Sequence, residues 1–198
     1  MNKQNLQFYS DNVESLLEQY DTVAFESVHQ DWLEHLPKAG RVLDVGAGSG
    51  RDARYMAHGG LEVVAVEPCQ KLSVKASKSD SGANIRWLAD SLPLLQKTYD
   101  MNSPFDLILL SAVWMHLTYD ERTVSMGRLA GLLSDNGILV ITLRYGDFSD
   151  GRIAYPVDAD EVVKLSKASG LSVAMKTDLN TDQLGRHDVA WQTIVLMK

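Results

Sequence analysis

The sequence is short of cysteine, of long apolar runs and of clustered positive charge, and each shortage excludes something. Cys69 is the only cysteine, so no disulfide can form within the chain and no cysteine metal cluster is possible. A reducing, cytoplasmic setting is expected. Met1 to Tyr9 is polar and lacks the apolar centre of a signal peptide. No apolar run approaches the roughly 20 residues that a membrane span needs, so no membrane partner is expected. Lys and Arg number 19 against 26 Asp and Glu, a net charge of −7. Phosphate binding needs clustered Lys and Arg. The nearest cluster, Lys71, Lys75 and Lys78, reads as a solvated helix face. No nucleic-acid partner is therefore expected. Repeats and low-complexity segments are missing too.

What is there suits one α/β domain. With 198 residues, 45% apolar and 23% charged, the chain can bury a full core. Residues 1–198 read as a single domain, with a helical N-terminal lid or cap over 1–36 and a sheet core over 37–198. Leu6, Tyr9, Val13, Leu16, Leu17 and Tyr20 recur at helical spacing, as do Phe25, Val28, His29, Trp32, Leu33 and Leu36. Two helices are expected there, ended by Pro37 and Gly40.

From Arg41 the chain alternates strand and helix. Strands are expected at 41–46, 61–66, 84–89, 105–111 and 137–143. The helices between them fall at 51–58, 69–78, near 91–97 and 119–133. Ser134-Asp135-Asn136-Gly137 has the composition of a turn. Residues 144–157 read as a long loop, and Asp158 caps a helix to Ser169. Leu171 to Thr177 and Val189 to Met197 read as two strands, joined by 178–188. So short a joint favours an antiparallel pair. The expected fold class is α/β: a doubly wound, mostly parallel sheet with helices on both faces and an antiparallel last strand.

One stretch organises the rest, Arg41-Val42-Leu43-Asp44-Val45-Gly46-Ala47-Gly48-Ser49-Gly50-Arg51-Asp52. A buried strand runs into three alternating glycines and then a helix. Such a turn lets backbone approach a ligand closely, and the helix start presents unpaired N–H groups. A dinucleotide fingerprint would place its third glycine where Arg51 stands.

Asp44, Gly46, Gly48 and Gly50 resemble motif I of the class I S-adenosylmethionine (SAM) dependent methyltransferases, D-x-G-x-G-x-G. Nearly the whole chain shares the resemblance. It implies the Rossmann-like, seven-stranded fold of that class, with SAM as cofactor and S-adenosylhomocysteine (SAH) as product. The loop Gly46, Ala47, Gly48, Ser49, Gly50 would cradle methionine and ribose, with Asp44 near the amino group. Arg51 and Asp52 open the helix behind it, with Arg51 within reach of the SAM carboxylate or of a loop carboxylate. Glu67-Pro68 ends the second strand, 17 residues beyond Gly50, and the family's acid there accepts from both ribose hydroxyls. In Ala89-Asp90-Ser91 the acid resembles the residue that binds the adenine amino group. Phe105 to Ser111 resembles motif IV, and Gly131 to Thr142 the motif V region.

Ligands of an open α/β sheet bind beyond the carboxyl ends of its strands. That edge collects Ser111, Trp114, Met115 and His116, then Arg144, Tyr145 and Arg152, then Arg186 and His187 of loop 178–188. Tyr9 and Tyr20 come from the N-terminal helix. His116 is the leading candidate for a general base, with Tyr145 behind it. Arg144, Arg152 and Arg186 would suit a carboxylate or phosphate on the substrate, or else pair with Asp147, Asp150, Asp182 or Asp188.

No Asn- or Asp-Pro-Pro-aromatic follows the fourth strand, and neither a glutamate pair nor a metal-holding Asp/Asn set is evident. The expected activity is methyl transfer to O, N or S of a small-molecule acceptor, without a metal. Alternatives are a protein or tRNA methyltransferase, a non-catalytic SAM-binding module and a nicotinamide oxidoreductase.

Overall fold

The computed structural model describes residues 2–182 and 185–198. Its sheet holds β1 Arg41–Val45, β2 Glu62–Val66, β3 Ile85–Leu88, β4 Phe105–Ser111, β5 Leu133–Tyr145, β6 Ser172–Lys176, β7 Asn180–Thr181 and β8 Ala190–Met197. The order is β3-β2-β1-β4-β5-β8-β6, with the short β7 beside β8. β1 to β5 pair in parallel, and β8 lies antiparallel between β5 and β6. The seven-strand path is the expected one. The two-residue β7 is an addition, formed where Asn180 and Thr181 pair with Trp191 and Ala190 across the terminal hairpin.

Alternation along the strands splits the core between two faces. Leu43, Val45, Val64, Val66, Ile108 and Leu110 face one side, against Met126 and Leu129 of α7 (Tyr119–Leu132) and Val162 and Leu165 of α8 (Ala159–Ala168). Val42, Val63, Ala65, Leu107 and Leu109 face the other. There they meet Phe25, Trp32, and Ala53 and Met56 of the Arg51–His58 helix. Each large apolar side chain so buried contributes about 1.5–3 kcal/mol. Next to the carboxyl end of β1 stands Asp44, 1% exposed, a carboxyl that this packing does not need.

The N-terminal segment differs from the expected helix pair. It forms α1 Lys3–Asp11, α2 Val13–Asp21, α3 Phe25–His29 and a 3-10 turn at Leu33–His35. Asn12 breaks the first stripe, because its side-chain amide bonds the Phe8 carbonyl at 2.9 Å and competes with helical backbone. The expected turn at 134–137 also takes another form. Phe105 pairs with Leu133 and Leu107 with Ile138, so the extra residues bulge out of a continuous β5.

The remaining helices are α4 Arg51–His58, α5 Gln70–Ala76 and α6 Gln96–Tyr99. Thr118 and Glu121 close a capping box at the start of α7. Arg122, 3% exposed, pairs with Glu161 of α8 at 2.8 Å. It also donates to the carbonyls of Trp114, Tyr155 and Pro156. One side chain thereby fixes the turn after β4 against the loop after β5. Among the described residues no helix is long and apolar enough to cross a membrane.

Candidate cofactor and acceptor site

The chain leaves β1 for β2 on one side and returns through β4 on the other. The carboxyl ends of β1 and β4 therefore diverge into a crevice, and a cavity of about 270 Å³ opens there. The glycine loop forms its floor. Gly46 and Ala47 donate to the Val66 carbonyl at 2.8 and 3.0 Å, and Gly50 donates to Ala47. The three glycines have φ of +77°, +54° and +78°, a region that side chains resist. At Gly46 space excludes a side chain as well, since an added Cβ would lie 2.5 Å from Val113 Cγ2.

Glu67 and Asp44 are among the acids that line the cavity. Glu67, 5% exposed, accepts from the Gly48 amide at 3.0 Å and from the Cys69 amide at 2.8 Å. Burial still pushes its pKa up to about 7, against those two hydrogen bonds. Asp44 is also raised well above its ordinary value, by burial and then by the Asp52 charge, with Arg51 opposing. Its Oδ2 has no hydrogen-bond partner. A buried carboxylate oxygen without a donor fits a ligand that brings one, such as an ammonium.

Of the other expected cofactor residues, Ala47, Gly48, Ser49, Arg51, Asp52, Pro68, Ser91 and Ser111 line the same cavity. Gly50 turns the loop into α4 from behind it. Asp90 and Ala89 are not brought to its wall. The Asp90 carboxylate is taken up by Ser91 N, Thr98 N and Thr98 Oγ1, each at 2.9 Å, and so shapes the entry to α6. Ala89 is exposed, its carbonyl held by Lys97. After β3 the wall is instead made by Ser91 and Leu92.

The N-terminal helices cover this floor. Asp21, at the end of α2, accepts from Ser49 Oγ at 2.7 Å and from Arg54 at 3.1 Å. Arg51 reaches the Tyr20 carbonyl at 3.3 Å. His29 is fully buried and bonds Asp52 at 3.0 Å. Trp32 Nε1, which can only donate, bonds His29 Nδ1. The His29 proton therefore sits on Nε2 and points to Asp52. Asp52 is buried, which works against its charge, yet His29 and Arg51 hold its pKa well below the usual range. Asp31 accepts from Asn180 at 2.8 Å and joins the cover to the hairpin.

At the far end stand the expected acceptor residues. Tyr9 and Tyr20 both line the cavity. Tyr9 Oη is 3.1 Å from His116 Nε2, while His116 Nδ1 is 3.1 Å from the Ile153 carbonyl and from Asn5 Nδ2. Asn5 also pairs with the Ile153 backbone in both directions. Burial, then the nearby charges of Arg152 and Arg144, push the His116 pKa down to about 4 despite the Ile153 bond.

Arg144, Arg152 and Arg186 converge here as expected. Arg152 pairs with Asp150 and Arg186 with Asp182, both at 2.6 Å. Arg144 and Arg152 each place a guanidinium 4.0 Å from the Phe148 ring centroid, and His116 stacks on the same ring.

Three expected acceptor residues fall outside the cavity wall. Trp114 is fully buried in the core, where its ring fills the space under α7. The Tyr145 hydroxyl donates to Gln192 at 2.8 Å, because its position in β5 points it across to β8. His187 is exposed on the hairpin. Sequence reasoning missed Asp21, Asn5 and Phe148. Phe148 had a signal, an aromatic in an otherwise polar stretch at a strand end.

Comparison with known proteins gives this arrangement a family. Among curated proteins, none matches the sequence significantly. Solved structures share the fold at low identity. The N-methyltransferase NodS from Bradyrhizobium japonicum, in complex with SAH, is 18% identical, with a TM-score of 0.72 over 96% of this chain and 97% of that one. The 1,6-didemethyltoxoflavin-N1-methyltransferase from Burkholderia thailandensis, with bound 1,6-didemethyltoxoflavin and SAH, is 20% identical, with a TM-score of 0.69 over 100% and 91%. Magnesium protoporphyrin IX methyltransferase from Synechocystis, with bound SAM, is 15% identical, with a TM-score of 0.64 over 96% and 79%. The family model described as a methyltransferase domain matches residues 7–177, from within α1 to the strand before the terminal hairpin loop, and the chain belongs to that family.

Proposed function

We propose that this protein transfers the methyl group of SAM to an O, N or S atom of a small-molecule acceptor. The observation that carries the reading is the pair of buried acids in the crevice, Asp44 with an unpartnered Oδ2 and Glu67 on the Gly48 amide, above a loop of left-handed glycines. Asp44 would hold the ammonium of SAM. Glu67 would take the ribose hydroxyls, since a carboxylate offers two acceptor oxygens. The similar structures, among them methyltransferases of 1,6-didemethyltoxoflavin and of magnesium protoporphyrin IX with SAH or SAM bound, support the same reading. A reducing, cytoplasmic setting goes with it, supported by Cys69 as a buried free thiol.

SAM, when bound, supplies a methyl group on a sulfonium sulfur, already an activated leaving group. The chain's own task is then to position the acceptor and keep water out, with Tyr20 and the α2 end closing over the loop. Where the acceptor must lose a proton, Tyr9 and His116 would receive it. With the Nδ1 proton given to Ile153 O, His116 Nε2 accepts from Tyr9. The acceptor's proton would pass to Tyr9 Oη as Tyr9 hands its own to Nε2.

The test is a calorimetric titration with SAH and with NADH, followed by transfer of labelled methyl from SAM to a panel of small acceptors. NADH binding without SAH binding would sink the reading. Tyr9→Phe should keep SAH affinity and lower kcat by about tenfold or more, the range for proton-transfer catalysis. An unchanged kcat removes the relay.

A further inference from the structure

The acceptor end of the cavity carries more positive than negative charge. Arg152 and Arg186 each have a carboxylate, Asp150 and Asp182. Arg144 makes no ion pair among the described residues. It is 6% exposed, and its Nε has no hydrogen-bond partner. Its terminal nitrogens carry four N–H groups, of which two donate to the carbonyls of Gly146 and Asp147. Burial, then the neighbouring charges of Arg186 and Arg152, push its pKa down, against the smaller opposing effect of Asp182 and Asp188. A cation kept in such a place, with its buried Nε–H unpartnered, is costly unless an anion completes it.

We propose that Arg144 is the anchor for a carboxylate on the methyl acceptor. The claim rests on the methyl-transfer reading and narrows it to acceptors that are carboxylic acids. A carboxylate rather than a phosphate fits, because Arg144 is the one of the three arginines without an ion pair among the described residues, and one such charge suits a single negative charge. Phe148, held against both Arg144 and Arg152, fixes the guanidinium in place and offers an aromatic wall. Tyr9, Tyr20 and Trp191 line the same space, so a planar acceptor body packs well there. The Tyr9–His116 pair stands beside this anchor and meets the acceptor's other end.

The test uses SAH-loaded protein and three probes: benzoate, benzamide and phenyl phosphate, each titrated by calorimetry. Benzoate should bind about tenfold or more tighter than benzamide, the size of one charge-assisted hydrogen bond, and tighter than phenyl phosphate. Arg144→Met should abolish that preference while SAH affinity stays, and Arg144→Lys should restore part of it. Equal binding of benzoate and benzamide overturns the proposal, as does no detectable benzoate binding. A preference that survives in Arg144→Met moves the anchor elsewhere and overturns it too. Phenyl phosphate binding tighter overturns the carboxylate. Should the variants fail to fold, the probe order on the wild-type protein still decides. Failure of SAH to bind the wild type is a separate result and strikes the methyl-transfer reading instead.

Discussion

A carboxyl group that is buried without a cation holds its proton, and Glu67 and Asp44 both show the shift. A ligand that donates to them lowers their pKa, so binding should expel protons. SAH affinity should therefore climb as pH rises to about 7, the Glu67 value, and level off above it. Glu67→Gln should lower the affinity by about tenfold, for a lost charge-assisted hydrogen bond, and flatten most of that climb. Calorimetry in buffers of different ionisation heat reads the proton count directly. An unchanged slope in Glu67→Gln would show that another group titrates. Without ligand the sign reverses. Between its ordinary 4.5 and about 7, folded Glu67 keeps a proton that the unfolded chain releases, so its contribution to stability falls as pH rises through that window. His116 offers a second reading at this scale. Its low pKa keeps the free enzyme's imidazole neutral from pH 5 upward. A carboxylate bound at Arg144 offsets the charges that depress it, so the His116 NMR titration should move upward with benzoate present. No movement would separate His116 from the anion end.

Between elements, single side chains do the joining. Asp21 connects the end of α2 to Ser49 and Arg54. Asp21→Ala should raise the SAH off-rate by roughly tenfold, for one or two lost hydrogen bonds to a charged group, and lower the denaturation midpoint by no more than those same bonds account for. Stopped-flow displacement measures the first and urea unfolding the second. A lowered midpoint with an unchanged off-rate would mean that α2 is packing and not cover. Arg122 joins α7, α8 and two loops. Arg122→Ala leaves Glu161, 13% exposed at its side chain, without its cation. The cost expected in urea unfolding is about 3–5 kcal/mol. Neither tie was legible in the sequence, because a pair 28 or 39 residues apart leaves no periodic trace. The strands were legible, since apolar runs bounded by glycine and polar turns identify them without knowledge of their neighbours. Asp90 shows the limit of position-based reading. It sits at the expected strand end, yet the Thr98 amide and hydroxyl claim its carboxylate. Only the fold of the loop that follows could reveal that.

Across the whole molecule the cover is attached around the cavity at the carboxyl edge of the sheet. The core strands pack on both faces. The N-terminal segment packs Phe25 and Trp32 on one face and Val13 on Cys69 and Leu72, and its polar contacts, Asp21 with Ser49, His29 with Asp52, Asn5 with Ile153 and Asp31 with Asn180, form a ring around the ligand space. We propose that this segment must open for the cofactor to leave. Hydrogen exchange separates that from simple packing. Saturating SAH at about a hundred times its Kd stabilises every state-changing step that releases it by about 2.7 kcal/mol, roughly a hundredfold in exchange rate. Amides in the middle of β4 and β5 exchange through global unfolding, which releases the ligand, and should slow by that factor. If opening of α1 and α2 also releases the ligand, their amides should slow equally, although they start from faster rates. If α1 and α2 fray while SAH stays in place, their rates will not change on addition of SAH, and the segment is a wall of the site and not its gate.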